Sequence, residues 1–166
     1  MIERQHIEAG VVSRALYSPC ETYRYGLERR WGEGGCLLFI MLNPSTADER
    51  RNDPTIERCQ RRAVALGFGA LRIANLFAFR ATRPADLRRA PVPVGPENDA
   101  LLLRWHRAAE MTLAAWGTHG SYLGRAAQVA GLCGELHHLG LTRDGHPRHP
   151  LYVPYAVAPL PWVRPA

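Results

Sequence analysis

Six consecutive apolar residues, Leu37 to Leu42, run into Asn43 and Pro44 within the stretch CLLFIMLNPSTAD. A run of that length is too short to span a membrane and suits a strand covered on both faces of a sheet. Two more apolar segments, ALRIANLFAF and MTLAAWG, also end in polar residues and predict the second and third strands. Between the first two lies NDPTIERCQRRAVALGFG, where Asp53 is placed to cap a helix, Pro54 to open it and Gly67 to follow its end. Strand, helix and strand in that order make a crossover unit with parallel strands. PENDALLLRWHRAAE, read as a helix starting at Pro96, SYLGRAAQVAGLCGEL, read as a further helix, and LHHLGL, read as a short fourth strand, continue the alternation. On the N-terminal side, VVSRALYS and TYRYGLERRW flank Ser18 and Pro19 and predict a short antiparallel β element. RATRPADLRRAPVPVGPEN reads as a long irregular loop crossing the edge where the strands end.

The predicted fold class is therefore α/β, a three-layer α/β/α sandwich on a mainly parallel, four-stranded sheet with that N-terminal antiparallel element. With 166 residues and 46% hydrophobic content, one domain over residues 1–166 is expected, its core at about 23–152 and a proline-rich tail at 153–166 running extended or frayed.

Charge changes the picture only in part. The formal net charge is +6 and all 21 basic residues are arginine. An arginine surface can hold phosphates bidentately, but a compositional bias would give the same count, and acids are interleaved in the basic stretches. The four cysteines form no C-x-x-C pair and no signal-peptide pattern opens the chain, so a reduced, cytoplasmic setting without membrane attachment is expected.

Polar signals fall at four predicted strand ends, in LNPST, ANLFAFRAT, AWGTHG and GHPRHPLY. Strands of an open α/β sheet bind ligands beyond their carboxyl ends, so convergence of these signals predicts a pocket there. The stretches MLNPSTAD, NDPTIERC, NLFAFRAT, PVGPEND, WGTHG and LGLTRDGHPRHPLY resemble the signature blocks of a bacterial and phage family known only as domain of unknown function 1643 (DUF1643), over roughly Tyr23 to Tyr152. More distantly, the order strand-Asn-Pro, strand-Asn, strand-Trp-Gly, His-Pro is similar to the uracil-DNA glycosylase superfamily, and LNPS resembles its mismatch-specific thymine/uracil branch most.

That second resemblance implies a uracil-DNA-glycosylase-like sheet and hydrolysis of the N-glycosidic bond of a damaged, mismatched or modified base flipped from DNA. It implies a water positioned by Asn43, with Pro44 shaping the turn, and His149 donating to the departing base as a neutral imidazole. Asn75 would read the base edge, because an amide offers a donor and an acceptor in one plane. Phe77 or Phe79 would supply a stacking wall, and His119 would add a polar contact. Ser45 and Arg80 are candidate phosphate contacts, and Asp48 is an alternative general base. Leu151 stands where the superfamily's His-Pro motif carries a serine, which weakens the expected phosphate contact behind it. His146 and His149 lie in a loop, with neither H-E-x-x-H nor grouped cysteines, so no metal site and no cofactor is expected. The expected partner is nucleic acid, DNA before RNA, or a nucleotide. Two other readings stay open: a non-catalytic module that binds nucleic acid or senses modified bases, and an enzyme acting on free nucleosides or nucleotides.

Overall fold

The computed structural model describes residues 1–164. Its eight strands are β1 (Ile2–Glu8), β2 (Val11–Tyr17), β3 (Arg24–Arg30), β4 (Cys36–Met41), β5 (Ala70–Asn75), β6 (Met111–Ala114), β7 (His137–His138) and β8 (Leu160–Pro161). Four helices accompany them: α1 (Pro54–Ala65), α2 (Pro84–Arg89), α3 (Asn98–Ala108) and α4 (Arg125–Cys133). The protein is thus a mixed α/β structure, with all eight strands in one sheet in the order β1-β2-β3-β5-β4-β6-β7-β8.

This sheet corrects the expected mainly parallel, four-stranded one. Antiparallel pairings join β1 to β2, β2 to β3, β3 to β5 and β7 to β8, and outnumber the parallel pairings β5–β4, β4–β6 and β6–β7. The reason lies at the edges. The N-terminal strands do not form a separate cover, because β3 pairs directly with β5, from Leu27 opposite Ile73 to Arg30 opposite Ala70. β1, exposed over most of its length, carries no buried stripe to betray it in the sequence. At the other edge the chain returns through β8, which pairs with the two-residue β7.

β4 is buried along its whole length, as its apolar run requires. Leu38 and Ile40 pack on one face with Leu101, Leu102 and Trp105 of α3 and Val129 of α4. Leu37, Phe39 and Met41 pack on the other with Ile56, Cys59 and Ala63 of α1. Helix α1 starts where its sequence places it: Asp53 is the N-cap, its Oδ1 accepts from the Ile56 N–H at 2.8 Å, and Pro54 fills the first position. Helix α3 begins at Asn98, two residues beyond the proline expected to open it, and the supposedly irregular loop contains α2.

The tail is fastened through α1. Arg62 is 3% exposed and donates to the carbonyls of Val153, Pro154 and Val157 at 3.0, 3.0 and 2.9 Å. Arg58 adds a 2.7 Å bond to the Val153 carbonyl. These arginines satisfy backbone groups of a segment too proline-rich to pair with itself, which is why it lies down on the domain.

Candidate functional site

The carboxyl ends of β4, β5 and β6 open into a cavity of about 330 Å³, closed from one side by the start of α1 and from another by His149. Register determines which residues meet there. Met41 lies opposite Asn75, and Ile40 opposite Ala114. The pairing continues past the strands, with Leu76 N–H donating to the Met41 carbonyl at 2.9 Å and Ala115 N–H to that of Ile40 at 2.9 Å. Asn43, Asn75 and Trp116 therefore end up around one opening, and all three line it.

Asn75 is the most unusual group in the cavity. It is 1% exposed, and neither its Nδ2 nor its Oδ1 has a hydrogen-bond partner. Native proteins rarely leave both ends of a buried amide unpaired. Its backbone, in contrast, is tightly held. Asn98, wholly buried at the start of α3, donates from Nδ2 to the carbonyls of Asn75 at 2.9 Å and Leu76 at 3.2 Å. Arg125 of α4 donates to the Leu76 carbonyl from Nε at 3.0 Å and Nη2 at 2.7 Å, and its guanidinium pairs with Asp99 at 2.7 Å. Two helices thus fix the end of β5 while its side-chain amide remains unpaired.

Asn43 works differently. Its Nδ2 donates to the carbonyls of Pro44 at 3.0 Å and Ala81 at 2.7 Å, tying the turn after β4 to the loop after β5. The described hydrogen bonds do not use its Oδ1, which remains an acceptor for a water or ligand. On His149, Nδ1 accepts from the Leu151 N–H at 3.3 Å, which places the ring proton on Nε2. Burial holds this imidazole below its ordinary pKa, against the smaller opposing pull of Asp53, so it is neutral at pH 7 and a donor.

Ser45 and His119 also line the cavity, so five expected site residues, Asn43, Ser45, Asn75, His119 and His149, share it. The other expected residues lie elsewhere. Phe77 is fully buried in the core 5.5 Å from the Tyr122 ring, and Phe79 is half-buried with its ring edge-on to Tyr23 at 6.3 Å. The aromatic side chain in the lining is instead Trp116, 2% exposed, which an apolar strand end does not distinguish from a core tryptophan. Pro44 is buried and hydrogen-bonds its carbonyl to the Ala81 N–H at 3.1 Å. Arg80 is exposed, reaches the Glu21 carbonyl at 3.2 Å and lies over the Tyr17 ring. Asp48 closes a turn on the Arg50 and Arg51 N–H groups at 2.8 Å each. Burial works to raise its pKa, but those two bonds and Arg29 bring it below the ordinary value.

Among the lining residues not anticipated as site residues are Arg24, Thr82 and Arg83. Arg24, at the start of β3, is 2% exposed. Its Nη1 donates to the Ala47 carbonyl, and its Nε is buried without a partner. Burial pushes its pKa down to about 10, leaving it charged at neutral pH. Nothing in TYRYGLERRW separates Arg24 from Arg29 and Arg30; only strand pairing brings it to the cavity. Asp53 also lines the cavity, with Oδ1 committed to the helix cap.

Among the described residues, no three His, Cys, Asp or Glu side chains gather as a metal site, and no helix is long and apolar enough to cross a membrane. All four cysteines are free thiols. A family model described as "Protein of unknown function (DUF1643)" matches residues 24–151, a span that contains β3, β4, β5, β6 and every cavity-lining residue named above, and the chain belongs to that family. No curated protein and no solved structure matches the chain.

Proposed function

We propose that this member of the DUF1643 family binds a nucleobase in the cavity and hydrolyses its N-glycosidic bond. The observation that carries the reading is Asn75, a fixed, buried amide with donor and acceptor both unpaired at the cavity wall. An amide in that state complements any planar edge with an acceptor next to a donor, which is the edge a nucleobase presents. A cavity of about 330 Å³ is at the small end of ligand sites and large enough for a base.

Bond cleavage leaves a cationic sugar and an anionic base, so the site needs an oriented water and a donor for the base. Asn43 Oδ1 accepts a hydrogen bond from the water, whose oxygen bonds to the anomeric carbon as the C–N bond breaks and whose proton passes to solvent, and the neutral His149 donates a hydrogen bond from Nε2 to the departing anionic base. Trp116 gives the base an aromatic wall. Asn43 carries no charge, and its donors are committed to the turn, so the reaction is slow. The similarity in motif order to the uracil-DNA glycosylase superfamily points the same way and makes a base flipped from DNA the substrate, damaged, mismatched or modified. The exposed arginines at 50, 51, 80, 83, 88 and 89, on the segments following β4 and β5, support contacts to the phosphate backbone.

The structural engagement of Asn43 also favours a second reading, a non-catalytic module that senses a modified base. One experiment separates the two. Labelled oligonucleotides carrying uracil, hypoxanthine, mismatched thymine or phage-type modified bases are incubated with the protein, and abasic sites are read as alkali-labile breaks. Breaks that disappear in Asn43→Ala and in Asn75→Leu establish the glycosylase. Base-selective, salt-sensitive binding without breaks establishes the sensor, and neither breaks nor binding refutes both.

A further inference from the structure

We propose that the cavity contains an oxyanion subsite centred on Arg24, so that the ligand carries an anionic group in addition to the base edge read by Asn75. The pairing of this anion with a base edge rests on the nucleobase reading. The anion subsite stands on Arg24 itself.

Three observations support it. First, Arg24 is a buried cation that forms no ion pair with a carboxylate among the described residues. Asp53 is the only carboxylate in the cavity lining, and Arg83 adds a second cation there. A buried cation needs a counterion or a full set of acceptors; Arg62 has three carbonyls, whereas Arg24 has one described acceptor, and here a ligand can bring the rest. Second, Nη1 of Arg24 is used by the Ala47 carbonyl, whereas Nε has no partner and no described bond uses Nη2. The Nε–Nη2 edge is the fork that holds carboxylate or phosphate oxygens bidentately.

Third, the unpaired buried atoms of the lining are donors on Arg24 Nε, Asn75 Nδ2 and Trp116 Nε1, and an acceptor only on Asn75 Oδ1. A base edge pairs with both ends of Asn75. That leaves Arg24 Nε, on the polar lining, still without an acceptor, and an oxyanion supplies one. Such an oxyanion has two sources, an acidic substituent on the base or a phosphate of the nucleotide.

Isothermal titration of the full-length protein at fixed salt tests this with matched probes: uracil-5-carboxylate against uracil-5-carboxamide, deoxyuridine 5′-monophosphate against deoxyuridine, and inorganic phosphate alone. The anionic member of at least one pair is expected to bind roughly tenfold or more tightly, as a charge-assisted hydrogen bond implies. Preference within the first pair identifies the substituent, and within the second the phosphate. Equal binding within both pairs overturns the subsite and leaves the nucleobase reading intact. Binding of inorganic phosphate without any of the bases supports the subsite and overturns the nucleobase reading, and no binding at all overturns both. In Arg24→Gln, or in Arg24→Lys if circular dichroism shows the first unfolded, the preference is expected to fall severalfold. A folded variant that keeps the full preference removes Arg24 from the assignment.

Discussion

Replacing Asn75 with leucine tests whether the cavity is kept polar for a ligand. Leucine has nearly the shape of asparagine, and Asn75 contributes no side-chain hydrogen bond, so nothing the fold uses is lost. The backbone carbonyl at that position keeps its 2.9 Å bond from Asn98. An unsatisfied buried polar group costs about 1–3 kcal/mol, and two such atoms give an upper bound of about 2–6 kcal/mol. The two methyl groups of leucine are bulkier than the amide oxygen and nitrogen they replace, and the tighter fit offsets much of that. A net stabilisation of about 1–2 kcal/mol is therefore expected for Asn75→Leu in the ligand-free protein. For a chain of this size the shift in Tm is about 2–4 °C per kcal/mol, hence roughly 2–8 °C upward. The assay is calorimetry together with urea denaturation, where Cm should rise at unchanged m. Base binding should disappear in the same variant, an exchange of stability for function. A loss of more than about 1 kcal/mol would refute the reasoning, since it would show that the amide holds the fold.

Three further outcomes follow from the geometry. Gly26→Ala should destabilise by about 1–3 kcal/mol, because a Cβ there would lie 2.6 Å from Trp105 Cζ3 and 3.0 Å from Leu101 Cδ2 where α3 crosses β3; an unchanged Cm would contradict that packing. Asn98→Ala should cost about 2–4 kcal/mol by opening a cavity and orphaning the Asn75 carbonyl, and should weaken base binding even at temperatures where the variant is folded, which titration at 10 °C would detect. Burial holds His149 and His138 below the ordinary value of 6.5, so between their lowered values and about 6.5 the unfolded chain binds protons the native one does not. Stability should then be level above about pH 7 and fall as pH drops below about 6.5, and a Cm independent of pH from 7.5 to 5.5 would count against it.

The local chemistry of several elements was legible in the sequence. Asp53-Pro54 starts α1 in the structure as in the text, because a cap and a pre-set φ act within one turn. The apolar run of β4 announces burial on both faces, and the polar residues that end the strands, Asn43, Asn75 and His119, do meet in one cavity with His149. Such features depend on neighbours in the chain, which periodicity and capping can report.

Sheet pairing was not legible. β1 has no buried stripe, β7 and β8 are two residues each, and β3 joins β5 over a separation of more than forty residues, so the antiparallel extension of the sheet lies in hydrogen bonds between distant segments. The same holds within the cavity. Phe77 and Trp116 are both aromatic residues just past strand ends and both pack in the same core cluster, yet only Trp116 also lines the opening, which is decided by where the assembled sheet places each of them. Arg24 is one of 21 arginines in the text, and only pairing of β3 with its neighbours turns it into a buried cation in the lining of the cavity that holds the unpaired amide. The sequence by itself determined the segments and the residue types at their ends; tertiary structure decided which of those residues face one another, since burial and charge environment are properties of the packed sheet and not of any stretch of chain.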